Sequence, residues 1–223
     1  MFMWLMFQKY NLSCIIKSIV SESVNPKRRY RKIKGESMAR GRKVNSNGER
    51  SKQLLLEKAI ELFAANGYHQ TKISDIVKAA SLTQPTFYLY FESKDSLFNS
   101  LNAEFNEKLM TIFDTDVEGN VSLSDLQKKL ENVFTFFAQN PLLTKVGFFE
   151  AMDADVVKAE LAQHLQSSII GLQGIEHSKI VAEALVGAVE RLTLTCLLTG
   201  EFTPKEVTES LMSIYFSAAH QTA

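Results

Sequence analysis

Apolar residues recur every three or four positions along most of this chain, which is the period of an amphipathic helix. In the stretch TKISDIVKAA, apolar side chains at Ile73, Ile76, Val77 and Ala80 form one stripe, and Thr71 before them is the expected N-cap. Alternating runs of β-branched residues are absent, and only four prolines and ten glycines interrupt the sequence. The pattern therefore predicts an all-α fold.

The next predicted helix, from Gln84 to Tyr90, is short and has a polar surface. Thr83 is its expected N-cap, and Pro85 lies in its first turn, where a missing N–H costs nothing. Phe87 and Phe91 are four residues apart and can face the same core. The side chains left to point elsewhere are Gln84, Pro85, Thr86, Tyr88 and Tyr90. A helix that exposes an amide, a hydroxyl and two phenols is a poor core element, but it fits the major groove of DNA.

These two helices resemble the helix-turn-helix of TetR-family transcriptional regulators. In that family the second helix typically carries a segment like S/T-x-G/P-T-[LF]-Y-x-[YH]-F-x-x-K, and residues 83–94 are TQPTFYLYFESK. With the preceding helix, predicted from about Glu49 to Asn66, the resemblance covers about a quarter of the chain. The later helices resemble the family only in length and general pattern. Pro85 stands where the family often has glycine, and Leu89 stands where a polar residue is common, so no hydrogen-bonded base contact is expected at Leu89.

The resemblance implies that this segment binds double-stranded DNA. Gln84 is the best candidate for base readout, because its amide can pair with an adenine edge or reach a guanine, and Pro85 can contact a thymine methyl. Lys94 stands at the start of the following helix, where free N–H groups favour anions, so it is expected to clamp a phosphate. The candidate DNA contacts in this region are Thr71, Lys72, Thr83, Gln84, Pro85, Thr86, Tyr88, Tyr90 and Lys94. Ordinary packing is the alternative for Tyr88 and Tyr90.

Charge is divided unevenly along a chain whose net charge is zero. Residues 1–50 hold 12 Lys and Arg against 3 Glu, which gives 12 − 3 = +9. The rest hold 25 − 12 = 13 basic and 25 − 3 = 22 acidic residues, which gives −9. A basic arm before an acidic helical body suits phosphate binding through counterion release, although a merely solvated tail is the alternative. The arm residues proposed to contact DNA are Arg40, Arg42 and Lys43.

Residues 1–37 are predicted to be an extension that is mis-annotated or disordered. Codons for Lys34-Gly35-Glu36 can spell a purine-rich ribosome-binding sequence just before Met38, so Met38 is the hypothesised initiator. Residues 1–20 are apolar but broken by polar residues, too interrupted for a membrane span of about 20 apolar residues. The predicted domains are then a basic arm with a helix-turn-helix at 38–93 and a helical body at 94–223.

The helical body carries two features that the resemblance connects with function. A predicted helix pair at about 178–220 contains the small residues Ala182, Ala184, Gly187 and Ala188, and the family's last two helices form a four-helix dimer interface. A homodimer is therefore implied, although a monomer with these helices buried internally is the alternative. Aromatic side chains wrap most of the circumference of the earlier helices, and the hypothesised ligand-lining residues are Phe134, Phe137, Phe148 and Phe149. Simple core packing is the alternative for each of these four.

Enzyme chemistry finds little support in the sequence. The four histidines are scattered and make no H-E-x-x-H pair, and neither a Walker loop nor G-x-G-x-x-G is present. Cys14 and Cys196 are too far apart to imply a disulfide framework or a cysteine metal site, which suits a reducing cytoplasm. No catalytic residue, metal or cofactor is expected.

The resemblance and the residues together predict a homodimeric repressor of a near-palindromic operator, released by a small apolar effector. The helix from Lys94 is expected to transmit the effect of ligand binding in the body to the DNA-binding helices. Two other classes stay open, namely a DNA-binding protein with a filled core that responds to no ligand, and a small-molecule binding or catalytic helical protein with a coincidental helix-turn-helix. Activation rather than repression is also open.

Overall fold

The computed structural model describes residues 46–113, 122–170, 172 and 175–216. Strands are absent from these ranges, and the predicted all-α fold is confirmed. The helices are α1 Ser46–Asn66, α2 Ile73–Ala79, α3 Gln84–Tyr88, α4 Lys94–Met110, α5 Leu123–Gln139, α6 Pro141–Thr144, α7 Ala154–Ile170, α8 Ser178–Leu192 and α9 Pro204–Phe216. Two π-helical turns, Lys145–Glu150 and Thr193–Leu197, extend α6 and α8. Of the described residues, 46–51 belong to a different unit from the rest, and the description below concerns the unit that begins at Lys52.

The helices begin and end at capping residues that can be identified from the sequence. The expected stop after α1 is confirmed, because Gly67 takes a positive φ of 80° and its N–H donates to the Phe63 carbonyl at 2.8 Å. Ser93 caps α4 in a reciprocal pair, in which Ser96 N donates to Ser93 Oγ at 3.0 Å and Ser93 N donates to Ser96 Oγ at 3.2 Å. Ser122 caps α5 in the same way with Asp125.

The buried residues form two hydrophobic clusters, which we name the head core and the body core. The head core is built by Leu55, Leu56, Ala59, Phe63, Ala64, Ile76, Val77, Ala80, Phe87, Phe91, Leu97, Phe98, Leu101, Val146, Ala151 and Ala154. The body core includes Phe105, Leu109, Phe113, most buried residues of α5 and α7, and the inner faces of α8 and α9. Helix α4 therefore enters the head core with its first half and the body core with its second. The predicted domain boundary at residue 94 stays a prediction.

The segment from Pro141 to Glu150 also contributes to both cores. Val146 is buried in the head core, and Phe148 is buried in the body core two residues later. Gly147 lies between them, so close to α4 that an added Cβ would be 2.5 Å from Cγ of Phe105. This contact holds the segment against the middle of α4, between the two clusters.

Helices α7, α8, α5 and α9 form the rest of the body, with α8 packed mainly on α7 and α9 mainly on α5. Leu161, Leu165 and Ile169 form the buried stripe of α7 and are fully buried. The stripe also includes Val157, which is 3% exposed, whereas the neighbouring Val156 is 57% exposed. Of the residues described, no helix is long and apolar enough to cross a membrane.

Candidate DNA-binding surface

The turn between α1 and α2 is tied together by internal hydrogen bonds. The Thr71 hydroxyl donates to the carbonyls of Gly67 at 2.9 Å and Leu62 at 3.2 Å, and Thr71 is 1% exposed. The N-cap prediction for Thr71 was therefore wrong, because the N-cap of α2 is Lys72. The buried Thr71 side chain holds the end of α1, and the DNA contact predicted for this residue stays a prediction.

Lys94 also turns inward. Its ammonium donates to the carbonyls of Tyr68 at 2.8 Å and Thr71 at 3.0 Å, and it lies 4.1 Å from the centre of the Tyr68 ring. These contacts join the start of α4 to the turn before α2. The two hydrogen bonds leave one N–H of the ammonium for a phosphate contact. The phosphate contact expected from the sequence therefore stays a prediction, and it would use that one N–H.

The same turn contains a perturbed phenol. Tyr68 donates its hydroxyl hydrogen to Oδ1 of Asp95, and its ring packs on Phe98 with the centroids 4.6 Å apart. Burial first, and then the hydrogen bond to Asp95, raises the pKa of Tyr68 to about 12. The phenol thus remains a neutral donor at physiological pH, and the Tyr68 side chain is part of the support for α2 and α3.

Helix α2 begins where Lys72 N donates to Oδ2 of Asp75 at 3.1 Å. It ends in a turn whose Ser81 has a positive φ of 54°, the left-handed region that favours glycine. This conformation allows Leu82 N to donate to the Val77 carbonyl at 2.8 Å, which redirects the chain into α3.

One side of helix α3 packs against the head core, and the opposite side is exposed. Thr83 caps it as expected, because its Oγ1 accepts from Thr86 N at 3.4 Å and lies 2.9 Å from Thr86 Oγ1. Phe87 is fully buried, and Phe91 is 4% exposed. Burial of such a ring stabilises by about 1.5–3 kcal/mol, which gives the short helix its rigid base.

The exposed side of α3 carries most of the residues predicted to contact DNA. Gln84 and Pro85 are exposed at its start, and Tyr88 is 55% exposed. Leu89, at the C-cap, is 77% exposed, a large apolar residue on an otherwise polar surface. Tyr90 differs from these, because it is partly buried and packs against the head core. The alternative of ordinary packing therefore describes Tyr90 better than Tyr88.

Lys72 is exposed beside this surface, as the prediction requires. Arg40, Arg42 and Lys43 of the basic arm lie outside the described residues, as do residues 1–37 and the hypothesised start at Met38. Three of the four aromatic residues proposed to line a ligand site, Phe134, Phe137 and Phe148, are fully buried, and Phe149 is partly buried.

The aromatic side chains of the body are in direct contact. The Phe137 and Phe148 centroids are 4.9 Å apart, and those of Phe148 and Phe149 are 5.2 Å apart. Phe105 of α4 joins the same group at 6.0 Å from Phe137. The structure brings three of the four predicted residues into ring contact, and Phe134 is buried in the same body core. Over the described ranges, no group of three or more His, Cys, Asp and Glu side chains is arranged to hold a metal ion.

Sequence reasoning missed three residues that position this surface. Ser81 has no sequence signal, because serine rarely adopts a positive φ. Lys145 donates to the carbonyl of Ala64, near the end of α1, and lies 3.3 Å from Oε1 of Glu150. Lys145 and Ala64 are 81 residues apart, so no helical or strand period in the sequence indicates their contact. The positioning roles of Lys145 and Glu150 were therefore not predicted.

Comparisons with known proteins agree with this geometry. Residues 55–101 match the family model described as bacterial regulatory proteins, tetR family. The helix-turn-helix transcriptional regulator YdgC of Bacillus subtilis strain 168 is 35% identical over 182 residues, which cover 77% of this chain and 93% of that protein. The transcriptional repressor DhaR of Mycobacterium sp. strain GP1 is 29% identical over 115 residues, which cover 49% of this chain and 57% of that protein.

The fold is shared with solved structures. A TetR-like transcriptional regulator from Rhodococcus sp. RHA1 superimposes with a TM-score of 0.65 at 23% identity, covering 76% of this chain and 96% of that chain. The matched segment, residues 55–101, contains the whole of α2, the turn and α3, together with the buried aromatic base that supports them. This chain belongs to the TetR family of DNA-binding transcriptional regulators, which are not enzymes.

Proposed function

We propose that this protein is a homodimeric repressor that binds an inverted-repeat operator and releases it when a small apolar molecule enters the body. The observation that carries the proposal is α3, a short helix with a buried phenylalanine base and an exposed face of Gln84, Pro85, Tyr88 and Leu89. In helix-turn-helix proteins the residues at the start of the second helix contact base edges. Gln84 and Pro85 occupy that start.

The exposed face of α3 favours mixed readout. The Gln84 amide can pair with an adenine edge, while Pro85 and Leu89 offer apolar contact to thymine methyl groups. Tyr88 and Thr86 carry hydroxyls that suit phosphate oxygens. Lys72, and the basic arm with Arg40, Arg42 and Lys43, would add the salt-dependent part of the affinity.

Exposed apolar residues on the last two helices support a dimer interface there. Ile180 of α8 is 67% exposed and Ile214 of α9 is 75% exposed, while Tyr215 is 37% exposed. Gly187 lies on the exposed side of α8, where an added Cβ would meet nothing within 4 Å. A mid-helix glycine costs about 1 kcal/mol relative to alanine, and none of the described residues uses the space that it leaves. The close approach of a partner helix would use that space.

Effector response would act through α4. This helix shares the head core with the DNA-binding helices and the body core with the aromatic residues Phe137 and Phe148. A ligand that separates those rings must shift the second half of α4 or the segment that holds Gly147 against Phe105. A ligand that prefers the shifted arrangement by about 1–3 kcal/mol would release the operator to a measurable extent.

The test is a nuclease footprint on the DNA that flanks the protein's own gene. We expect a protected inverted repeat with two half-sites about one helical turn apart. Gln84→Ala should lower the affinity for this site by about 1–3 kcal/mol, while Gln163→Ala, on the exposed side of α7, should have no effect. Binding that shows no sequence preference, or that is equal in Gln84→Ala and the parent protein, would refute the assignment of α3.

One observation favours a second candidate function, that of a DNA-binding repressor with no ligand. Phe134, Phe137 and Phe148 are all fully buried, as residues of a filled core would be. The two functions differ in a thermal-shift screen with apolar compounds. An inducible repressor gains stability from its effector and releases DNA, whereas the filled-core protein does neither.

A further inference from the structure

A cleft opens where three elements meet, and we name it the joint cleft. Tyr68 and His69 line it from the turn before α2, and Phe98 lines it from α4. Glu150 lines it from the end of the π-helical turn, and Met152 lines it just before α7. Its volume is about 270 Å³. Residues from the turn that supports the DNA-binding helices and residues that follow the aromatic body segment thus share one space.

The joint cleft has mixed walls, in which Tyr68, Phe98 and Met152 supply the apolar part and His69 and Glu150 the polar part. The rings of Tyr68 and Phe98 are in contact, with centroids 4.6 Å apart, and Phe98 itself is almost fully buried. Met152 is 94% exposed at the rim, and its thioether is a flexible, polarizable contact surface. Aromatic rings and a thioether together favour an occupant that has an apolar part.

One charged group lies among these walls. Glu150 supplies the only carboxylate among the five lining residues, and neither Lys nor Arg lines the cleft. Its Oε1 is 3.3 Å from Nζ of Lys145, whose ammonium is also taken by the carbonyl of Ala64. Burial nevertheless raises the pKa of Glu150, and the opposing attraction of Lys145 is the smaller effect. The Glu150 side chain is 28% exposed, so the carboxylate that Lys145 contacts through Oε1 remains accessible to a second cation.

We propose that the joint cleft binds a small organic cation, a protonated amine carried on an aromatic or short apolar group. Its ammonium would contact the Glu150 carboxylate, and its apolar part would pack against Phe98 and Met152. The space equals about nine water molecules at roughly 30 Å³ each, so the occupant is smaller than a drug-sized ligand. The proposal concerns a site apart from the aromatic residues of the body, and it holds whether or not those residues bind an effector.

Occupancy has a structural consequence. The amine would compete with Lys145 for Glu150, and Lys145 is the group that joins the π-helical turn to the end of α1. At the same time the occupant contacts Tyr68 and His69, next to the Thr71 and Lys94 contacts that hold the turn before α2. A bound amine therefore contacts the support of the DNA-binding helices directly.

The first experiment measures binding of phenethylamine to the full-length protein by ligand-observed NMR and titration calorimetry. 2-Phenylethanol is the neutral analogue and phenylacetate is the anionic one. We expect saturable binding of phenethylamine in the millimolar range, and at least about tenfold weaker binding of both analogues. Glu150→Gln should remove the preference for the amine, whereas Glu107→Gln, an exposed site on α4, should keep it.

A second pair of variants guards against loss of folding in Glu150→Gln. Met152 is so exposed that charged replacements leave the cores unchanged. Met152→Glu adds a negative charge at the rim and should strengthen phenethylamine binding, while Met152→Lys should weaken it. The proposal is overturned if phenethylamine shows no saturable binding, if 2-phenylethanol or phenylacetate binds as well as the amine, or if the two Met152 variants bind the amine equally.

Discussion

The internal contacts of Lys94 lead to a prediction that distinguishes two roles for this residue, stabilising the turn before α2 and contacting DNA. In Lys94→Met the stem keeps its packing, but the protein loses two hydrogen bonds to the Tyr68 and Thr71 carbonyls and the contact with the Tyr68 ring. Hydrogen bonds from charged donors contribute about 1.5–3 kcal/mol when buried, and we take about 1 kcal/mol each for this partly exposed lysine. We therefore expect a loss of about 2 kcal/mol in the free energy of unfolding.

The loss can be measured without DNA, by urea unfolding and thermal melting at fixed protein concentration. For a chain of 223 residues, about 2 kcal/mol corresponds to a fall in Tm of about 4–8 °C. Operator affinity should fall as well, but the slope of log affinity against log salt should stay the same, because we predict that the two internal hydrogen bonds keep the ammonium from neutralising a phosphate. The matched control is Lys72→Met, an exposed residue at the start of α2, which should keep its stability and lose about 0.9 from the salt slope for each protomer of the dimer, or about 1.8 in all.

The opposite pattern would refute this reasoning. If Lys94→Met keeps the stability of the parent protein and loses about 0.9 from the salt slope for each protomer of the dimer, the ammonium clamps a phosphate as the sequence suggested. The internal hydrogen bonds would then contribute nothing measurable in the free protein.

Three further predictions follow from backbone conformation, close contact and exposure. Ser81→Gly should raise the free energy of unfolding by about 0.5–1 kcal/mol in urea titrations, since φ is 54° there, and an unchanged or lower value would contradict the assigned turn. Gly147→Ala should lower it by about 1–3 kcal/mol, because the new Cβ would be 2.5 Å from the Phe105 ring, and equal stability would contradict that contact. Ile214→Glu should convert the dimer to monomer in sedimentation experiments, while the similarly exposed Val156→Glu on α7 should leave it intact, and a dimer that survives Ile214→Glu would exclude α9 from the interface.

Local signals were sufficient for the helices of the DNA-binding region. Thr83, Pro85 and Ser93 act within one helical turn of their own position, and Gly67 ends α1 through a bond to Phe63 four residues away. Such interactions depend on neighbours in sequence, so a short motif is enough to predict them. The burial of Phe87 and Phe91 follows from helical spacing in the same way.

The sequence did not show which of several possible partners a polar side chain takes. Thr71 could cap α2 from its position, but its hydroxyl is taken by the carbonyls of Gly67 and Leu62. Lys94 could clamp a phosphate from its position at a helix start, but two carbonyls more than twenty residues earlier take its ammonium. In both cases the local prediction was chemically sound. The partners of Lys94 depend on how α4 packs against the turn after α1, whereas those of Thr71 lie in α1 and in the turn itself.

The sequence by itself determined the all-α class, the helix-turn-helix and its exposed face, because apolar period, caps and turns are encoded by residues within a few positions of one another. Only the tertiary structure decided which polar groups remain available at the surface. Lys145, Glu150 and Gly147 acquire their roles from elements that are up to 81 residues apart and meet only after folding. Spatial proximity of that kind has no periodic signature in one sequence, since the packing of helices brings those atoms together.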